Sequence, residues 1–209
     1  ADVQFSSLFF GKKHFLGHSS KIAKFYDSAV YGICALVFAL TAFCACRIVF
    51  KERKLADGAR RLLFFCLILV IGSVGLVQAL KFTMERPRPY AISQFAGAEQ
   101  FVPVLKFNQN GQKTVPNENR SFPSGHTACA FALTALAVLA HRQKVRLAIF
   151  FFFFVYAGVT GLMRILEGNH YLSDVLGSVV IVGITMMLLD WFWPLAAERI
   201  NGFFVSAKP

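Results

Sequence analysis

The sequence has little charge for its length. Only 16% of the 209 residues are Asp, Glu, Lys or Arg, against roughly 25% in a typical soluble domain. Low charge, 56% apolar residues and a mean hydropathy of +0.55 exclude an intrinsically disordered chain, which combines low hydrophobicity with high net charge. An ordinary soluble globule is disfavoured as well, since so much apolar surface could not be hidden from water.

Acidic residues and paired cysteines are also scarce. Asp and Glu number 11 against 22 Lys and Arg, which gives a net charge of +11. The five cysteines all lie inside apolar stretches, so they form no recognisable disulfide framework, and Cys44-x-Cys46 does not have a metal-binding spacing. An apolar chain with a basic excess is typical of a membrane protein that handles anions. A nucleic-acid-binding protein would share the charge but not the hydropathy.

Apolar stretches recur along the chain at the length of membrane-spanning helices. A bilayer requires roughly 20 apolar residues per helix. Uncharged stretches occupy residues 28–46, 62–80, 127–140, 147–163 and 175–189. The third stretch is short, and we expect its helix to begin near Pro123. The sequence therefore predicts an all-α fold, a polytopic membrane bundle with five transmembrane helices.

We interpret residues 1–209 as a single integral membrane domain. Residues 28–193 form its transmembrane core, and residues 194–209 form a cytoplasmic tail. Residues 1–27 mix several Phe with several Lys, which favours an amphipathic segment lying on the outer leaflet. A simple connector between two spans explains the same pattern equally well.

The distribution of basic residues predicts the orientation. Six Lys and Arg lie between the first two predicted spans and three between the third and fourth, and short loops rich in these residues face the cytoplasm. Residues 1–27, 81–123 and 164–174 then lie on the opposite face. The chain starts with Ala1-Asp2 and shows no signal peptide, so we expect that a further transmembrane helix precedes residue 1.

Three polar clusters adjoin predicted helix ends on this outer face. They are Lys81 to Pro89, Ser121 to His126, and Arg164 to Asp174. Ionisable residues beside a bilayer core are candidates for function. A single Lys or Arg there is often only a membrane anchor, and a single His is often a structural hydrogen-bonding group. Because two His, an Asp and three cations fall on one face, a shared site is favoured.

The residue types in these clusters suit phosphate chemistry. His170 and Asp174 are four residues apart, so they share one face of a helix. There the carboxylate can fix the tautomer of the imidazole and leave one nitrogen as a nucleophile. Ser124 and Gly125 open a helix whose free N–H groups form an anion site. His126 stands beside them as a candidate proton donor.

Positive charge at the site comes from Lys81, Arg88 and Arg164. The planar guanidinium of Arg matches the geometry of a phosphate group, and Pro87 and Pro89 fix the loop that carries Arg88. No Cys cluster or further carboxylate pair on this face predicts a metal centre. We therefore expect no metal and no other cofactor.

Together, the three clusters resemble the motifs of the type-2 phosphatidic-acid phosphatase superfamily, the membrane lipid phosphate phosphatases. The matching residues are Lys81-x6-Arg88-Pro89, Pro123-Ser124-Gly125-His126 and Arg164-x5-His170-x3-Asp174. The resemblance covers residues 60–190, with Met163 where the family often has Ser. Family members usually have six spans, which agrees with the expected helix before residue 1.

The resemblance implies a role for each residue. His170 would attack phosphorus and form a phosphohistidine, Asp174 would orient His170, and His126 would protonate the leaving oxygen. The phosphoryl oxygens would be bound by Lys81, Arg88, Ser124, Gly125 and Arg164. The implied enzyme is a phosphoric ester hydrolase that requires no metal, because fixed cations do the electrostatic work that Mg²⁺ does elsewhere.

The resemblance leaves the substrate open. The segments Gly161-Leu-Met-Arg164 and Gly168-Asn-His170 are similar to those of bacterial lipid A phosphatases, so lipid A phosphate and undecaprenyl pyrophosphate are the leading candidates. Phosphatidylglycerol phosphate and phosphatidic acid are alternative substrates. Transfer of the phosphoryl group to another lipid and non-enzymatic anion transport are alternative functions.

The expected location is the inner membrane of a bacterium, with the active site facing the periplasm. We expect an anionic phospholipid-type substrate, no nucleic-acid partner and no obligate protein partner. The polar stretch 90–121 has a length that is usually functional or disordered. Its cations Lys106, Lys113 and Arg120 either meet further phosphates of a large headgroup or are scattered loop charges.

Overall fold

The structure, a computed structural model, describes residues 1–11, 14–17, 21–52, 57–104, 106 and 120–206. Its helices are α1 (Asp2–Ser7), α2 (Lys21–Glu52), α3 (Asp57–Leu67), α4 (Val77–Met84), α5 (Gly125–Ala132), α6 (Gln143–Leu166) and α7 (Leu172–Ser206). Strands β1 (Phe10–Gly11) and β2 (His14–Phe15) form an antiparallel ribbon. A π-helical stretch, Ile68–Leu76, joins α3 to α4, and a 3-10 stretch, Leu133–Leu139, continues α5.

Within the part of the chain that the structure describes, four helical stretches are long and apolar enough to cross a membrane. They are Phe25–Lys51, Arg60–Met84, Gln143–Leu166 and Leu172–Pro194, which correspond to the first, second, fourth and fifth predicted spans. The third predicted span is the shorter apolar helix Gly125–Leu139, which begins slightly later than expected. The predicted all-α, polytopic membrane bundle is confirmed.

The short third helix lies at the centre of the bundle. Small side chains make up most of α5, and Ala128, Ala130 and Ala132 are fully buried. The helix contacts α2, α4, α6 and α7. A helix enclosed by others does not face lipid along its length, so it need not reach the roughly 20 residues that a bilayer requires of an outer helix.

Large apolar side chains cover the outside of the long helices. Phe43 on α2, Phe152 on α6 and Met187 on α7 are all exposed. In water, a contiguous surface of this kind would drive association. In a bilayer the same surface faces hydrocarbon chains of matching polarity, so these side chains identify the lipid-facing sides of the bundle.

Different segments of the chain contact each other at the two ends of the bundle. At one end, Arg61 donates a hydrogen bond to the Val138 carbonyl oxygen and lies 3.1 Å from Nδ1 of His141. The start of α3 and the turn before α6, where basic residues flank the predicted spans, therefore meet at this end. At the other end, the Ser124 N–H group donates to the Asp174 carbonyl oxygen, which joins the second polar cluster to the third.

The N-terminal segment packs over this second end. Phe15 on β2 is buried against Ile92 and Tyr171, and Gly17 donates a backbone hydrogen bond to the Leu166 carbonyl oxygen. The segment is a short helix followed by a ribbon, so it places aromatic rings on the loops next to the predicted site.

The polar stretch that begins at Tyr90 is described in part. It contains the 3-10 turn Ser93–Phe95 and an exposed Lys106, and Lys113 lies outside the described residues. Arg120 is buried and forms a 2.6 Å ion pair with Glu85. Its charge is thereby balanced within the protein, which argues against a contact with a further phosphate.

Candidate active site

The structure brings the predicted site residues to one end of the bundle. Their positions are the last turn of α4 (Lys81), the loop that follows (Arg88), the start of α5 (Ser124, Gly125, His126), the last turn of α6 (Arg164), the turn between α6 and α7 (His170) and the first turn of α7 (Asp174). Because each residue stands at or beside a helix end, the packing of the helices sets the distances between them.

A glycine turn presents His170 to the site. Helix α6 ends after Leu166, and Gly168 takes φ +71°, a left-handed conformation that glycine adopts without steric cost. The turn is closed by backbone N–H groups of Asn169 and His170, which donate to the Arg164 carbonyl oxygen. The chain thus reverses direction and buries His170 next to Arg164.

His170 and Asp174 lie side by side at the start of α7. They are 1% and 0% exposed, and Nδ1 of His170 is 3.6 Å from Oδ2 of Asp174. This separation is longer than a hydrogen bond, so the carboxylate faces the imidazole without bonding to it in this structure. The Oδ2 atom accepts a hydrogen bond from the Tyr171 N–H group instead.

The surroundings of His170 disfavour the protonated form of its ring. Complete burial is the main cause that lowers the pKa of His170 well below its usual value, and the nearby charges of Arg164, Lys81 and Arg88 lower it further. A neutral imidazole has the free lone pair that a nucleophile needs. The environment of His170 therefore favours the protonation state that a nucleophile requires.

Arg86, which sequence reasoning did not select, makes the shortest side-chain contact of Asp174 among the described residues. Its side chain is 1% exposed, and its Nη1 atom donates to Oδ1 of Asp174 at 2.5 Å. The same guanidinium donates to Asp2 at 2.7 Å and lies over the Tyr171 ring. Burial raises the pKa of Asp2, but hydrogen bonds from Ser173 and Arg86 outweigh burial, and the net shift is downward.

His126 has two neighbours from α2 that lie outside the predicted motifs. Its Nε2 atom is 3.6 Å from Oδ1 of Asp27, and the Tyr31 ring centroid is 4.2 Å from its own. Asp27 also forms a close ion pair with Arg164. The sequence did contain a signal for Asp27, because it is a lone Asp at the start of an apolar stretch. Ionisable groups are rare at such positions.

The cations at the site have unused hydrogen-bonding capacity. Arg88 donates to Oδ1 of Asn169 at 3.1 Å, and Nη1 of Arg164 is 2.6 Å from Oε2 of Glu167. Within the described part of the chain, Nε of Arg88 and Nε of Arg164 are buried without a hydrogen-bond partner. Buried donors are normally satisfied, so two empty guanidinium donors in one place favour an anionic ligand.

Glu167 is the second carboxylate beside Arg164. Burial raises the pKa of Glu167, while the Arg164 cation and the side chain of Asn169 lower it, with a net upward shift.

The start of α5 provides backbone donors. Ser124 is the residue before the first helical residue, and its hydroxyl accepts a hydrogen bond from the Thr127 N–H group. This is the cap that the sequence predicts. A Cβ atom at Gly125 would lie 2.9 Å from the Tyr31 hydroxyl, so glycine permits the close approach of α2 to the helix start.

Across the residues that the structure describes, no group of three or more His, Cys, Asp or Glu side chains is arranged to hold a metal ion.

Similarity to known proteins agrees with the chemistry of these residues. Along 91% of its length the chain is 30% identical to lipid A 4'-phosphatase of Francisella tularensis subsp. novicida, and the aligned region covers 83% of that protein. Two crystal structures align over most of the chain. The crystal structure of LpxE from Aquifex aeolicus has 21% sequence identity to this chain and a TM-score of 0.45. The alignment covers 90% of this chain and 93% of the LpxE chain.

The second structure is a PAP2-type phosphatidylglycerolphosphate phosphatase from Bacillus subtilis. It has 20% identity and a TM-score of 0.46, and the alignment covers 91% of this chain and 81% of that one. The sequence model of the PAP2 superfamily matches residues 61–199, close to the range over which the motifs were recognised. Because this match takes in most of the chain, and a 30% identical relative extends along nearly all of it, the protein belongs to the PAP2 superfamily and is a multi-pass membrane lipid phosphatase.

Proposed function

We propose that the protein hydrolyses a phosphate monoester or pyrophosphate of an anionic lipid through a phosphohistidine on His170. The observation that carries this proposal is the buried imidazole of His170, 3.6 Å from Asp174 and near the charges of Arg164, Lys81 and Arg88. A neutral nucleophile beside fixed positive charge is the arrangement that phosphoryl transfer requires.

In the first step, His170 attacks phosphorus through Nε2, since its Nδ1 atom faces Asp174. The N–P bond forms while the P–O bond to the lipid breaks, and His126 gives its proton to the leaving oxygen. Asp174 stabilises the positive charge that develops on the His170 ring. Arg86 holds Asp174 in place through its 2.5 Å hydrogen bond.

In the second step, a water molecule attacks the phosphohistidine. His126, now neutral, accepts a proton from that water as its oxygen bonds to phosphorus. The N–P bond breaks and inorganic phosphate leaves, which restores the neutral His170 ring and the protonated His126.

Charge on the phosphoryl oxygens is stabilised by the surrounding donors in both steps. The proposed phosphate-binding residues are Lys81, Arg88, Ser124, Gly125 and Arg164. The empty Nε donors of Arg88 and Arg164 and the N–H groups at the start of α5 suit an anion with several oxygens. Ser124 acts through the helix start that its hydroxyl caps.

Lipid A phosphate is the substrate that we propose first, and undecaprenyl pyrophosphate is the second. The 30% identical relative from Francisella is a lipid A 4'-phosphatase, which supports this order. The short basic loops near Arg61 and His141 meet at the end of the bundle opposite the site. The positive-inside rule therefore supports an active site on the periplasmic face of the bacterial inner membrane.

A substrate panel tests this proposal. Purified protein in detergent, without an acceptor lipid and with EDTA present, would be given lipid A, undecaprenyl pyrophosphate, phosphatidylglycerol phosphate and phosphatidic acid, and inorganic phosphate would be measured. We expect kcat/KM for lipid A to be at least about tenfold higher than for the others, a difference of roughly 1.4 kcal/mol in transition-state binding. Release from another lipid alone would refute the substrate, and no release from any would refute hydrolysis.

A further inference from the structure

Helix α2 contributes two side chains to the site from outside the part of the chain that the family match covers. The match spans residues 61–199, whereas Asp27 and Tyr31 lie one helical turn apart on α2. Asp27 reaches His126 and Arg164, and Tyr31 packs on the His126 ring. The PAP2 motifs therefore assign no role to either residue.

The proposed chemistry requires His126 to carry a proton when the lipid oxygen leaves. Burial of the His126 ring disfavours its protonated form, and the positive charges of Arg164, Lys81 and Arg88 add to this effect. Asp27 and the charge of a bound phosphate act in the opposite direction. Among the described residues, Asp27 is the carboxylate within 4.0 Å of the His126 ring nitrogens.

Two buried atoms face each other in this pair. Oδ1 of Asp27 is paired with Arg164 and lies 3.6 Å from Nε2 of His126, an atom that lacks a hydrogen-bond partner within the described residues. A shift of a few tenths of an ångström would bring them to hydrogen-bonding distance. Apo-state distances in catalytic pairs are often longer than those of the working complex.

We propose that Asp27 is a positioning residue for His126 and favours its protonated form, in parallel with the action of Asp174 on His170. This inference rests on the proposed function. With the Nε2–H group facing Asp27, the Nδ1–H group delivers the proton to the leaving oxygen as the P–O bond breaks. Asp27 stays a carboxylate throughout, and His126 recovers its proton from the attacking water.

A second reading makes Asp27 only a partner of Arg164. Arg164 also lies 2.6 Å from Glu167, so loss of either carboxylate would disturb the guanidinium. Glu167 is not among the ion-pair partners of His126, and it therefore serves as the matched control. If Asp27 acts on His126, the loss of kcat/KM on its substitution depends on the leaving group of the substrate. If Asp27 acts only on Arg164, the loss is the same for every leaving group.

The test compares two phosphate esters that carry the same dodecyl chain, an alkyl phosphate and a 2-nitrophenyl phosphate. A poor alkoxide leaving group needs a proton from the enzyme, whereas a good phenolate leaving group does not. The parameter to measure is kcat/KM, because it reports the first P–O cleavage. We expect Asp27→Asn to lower kcat/KM about 100-fold for the alkyl ester and less than about threefold for the aryl ester.

Glu167→Gln is expected to change kcat/KM by the same factor for both esters, because it acts through Arg164. Asp27→Glu, which keeps the charge, should restore part of the alkyl-ester activity. If Asp27→Asn does not give a monodisperse protein, the loss of kcat/KM on the alkyl ester is compared with the loss on the aryl ester in Asp27→Glu instead. That comparison then decides between the two interpretations of Asp27. Equal losses on both esters, or no loss on either, would overturn the role of Asp27.

Failure of the proposed function has a different signature. His170→Ala should abolish activity on both esters, and an active His170→Ala variant would refute the phosphohistidine route whatever Asp27 does. An inactive His170→Ala variant together with an Asp27→Asn variant that shows no leaving-group dependence would refute the Asp27 inference alone.

Discussion

At the scale of single residues, the same positive charges serve two purposes at His170. Arg164, Lys81 and Arg88 lower the pKa of His170 in addition to the effect of burial, and they are also the residues proposed to bind the phosphate. A site that attracts an anion with fixed cations therefore also keeps its nucleophile unprotonated. A metal-based site would separate these two tasks.

This arrangement predicts the acid limb of the pH–rate profile. His170 attacks in its neutral form, and a lowered pKa means that the neutral form persists as pH falls below the ordinary value of about 6.5. We therefore expect the kcat/KM of the enzyme to remain on its plateau at pH 6.5 and to fall only at lower pH.

The measurement is kcat/KM against pH with the 2-nitrophenyl ester. The second pKa of a phosphate ester is about 6, so the substrate also changes its charge in this pH range. Its pKa is measured separately by phosphorus NMR, and the kcat/KM values are corrected for the fraction of substrate in each ionisation state. A corrected acid limb centred at or above pH 6.5 would contradict the environment described for His170.

The sequence predicted the types of the site residues better than their partners. Arg86-Pro87-Arg88-Pro89 shows two arginines in one rigid loop, and the family pattern selects Arg88. Only the folded structure shows that Arg86 turns to Asp174. Asp27 was missed for a related reason, because its contact with His126 depends on how α2 packs against α5, and no spacing along the chain encodes that packing.

At the scale of elements, a glycine sets how closely α6 approaches α7. A Cβ atom built at Gly161 would lie 2.5 Å from Cγ1 of Val175. That distance is far shorter than a carbon–carbon contact allows. The first turns of α7 carry Asp174, so displacement of α7 would move a residue of the site.

Gly161→Ala is expected to lower the free energy of unfolding by about 1–3 kcal/mol through overpacking. Gly158→Ala is the matched control on the same helix, because nothing lies within 4 Å of a Cβ atom there. That substitution should be neutral or stabilising by up to about 1 kcal/mol, since Ala is the better helix former. Denaturant or thermal unfolding in detergent measures both, and equal stability of the two variants would refute the proposed contact.

Element boundaries followed from the sequence where the signal was local. Uncharged runs predicted five spanning helices, and among the described residues four of these are long and apolar enough to cross a membrane. Ser124 at the start of α5 was predicted as its cap. The shortness of the third helix was visible, but its central position was not. That position depends on the burial of small residues such as Ala128 and Ala130 against four neighbouring helices, which is a property of the assembled bundle.

At the scale of the whole molecule, the low charge and the basic excess have separate explanations. The apolar residues provide a lipid-facing surface, of which Phe152 and Met187 are examples. The positive charge divides between the end with Arg61 and His141 and the opposite end with Lys81, Arg88 and Arg164. The first population fits the positive-inside rule, and the second fits an anionic headgroup.

The most direct test of the central claim is to trap the intermediate on the whole protein. The enzyme would be mixed with its best lipid substrate labelled with ³²P, quenched in alkali within the first turnover and digested for mass spectrometry. A phosphohistidine on the peptide that contains His170, absent from His170→Ala, is the result that we predict. Phosphate on another residue, or undiminished phosphate release by His170→Ala, would contradict the account.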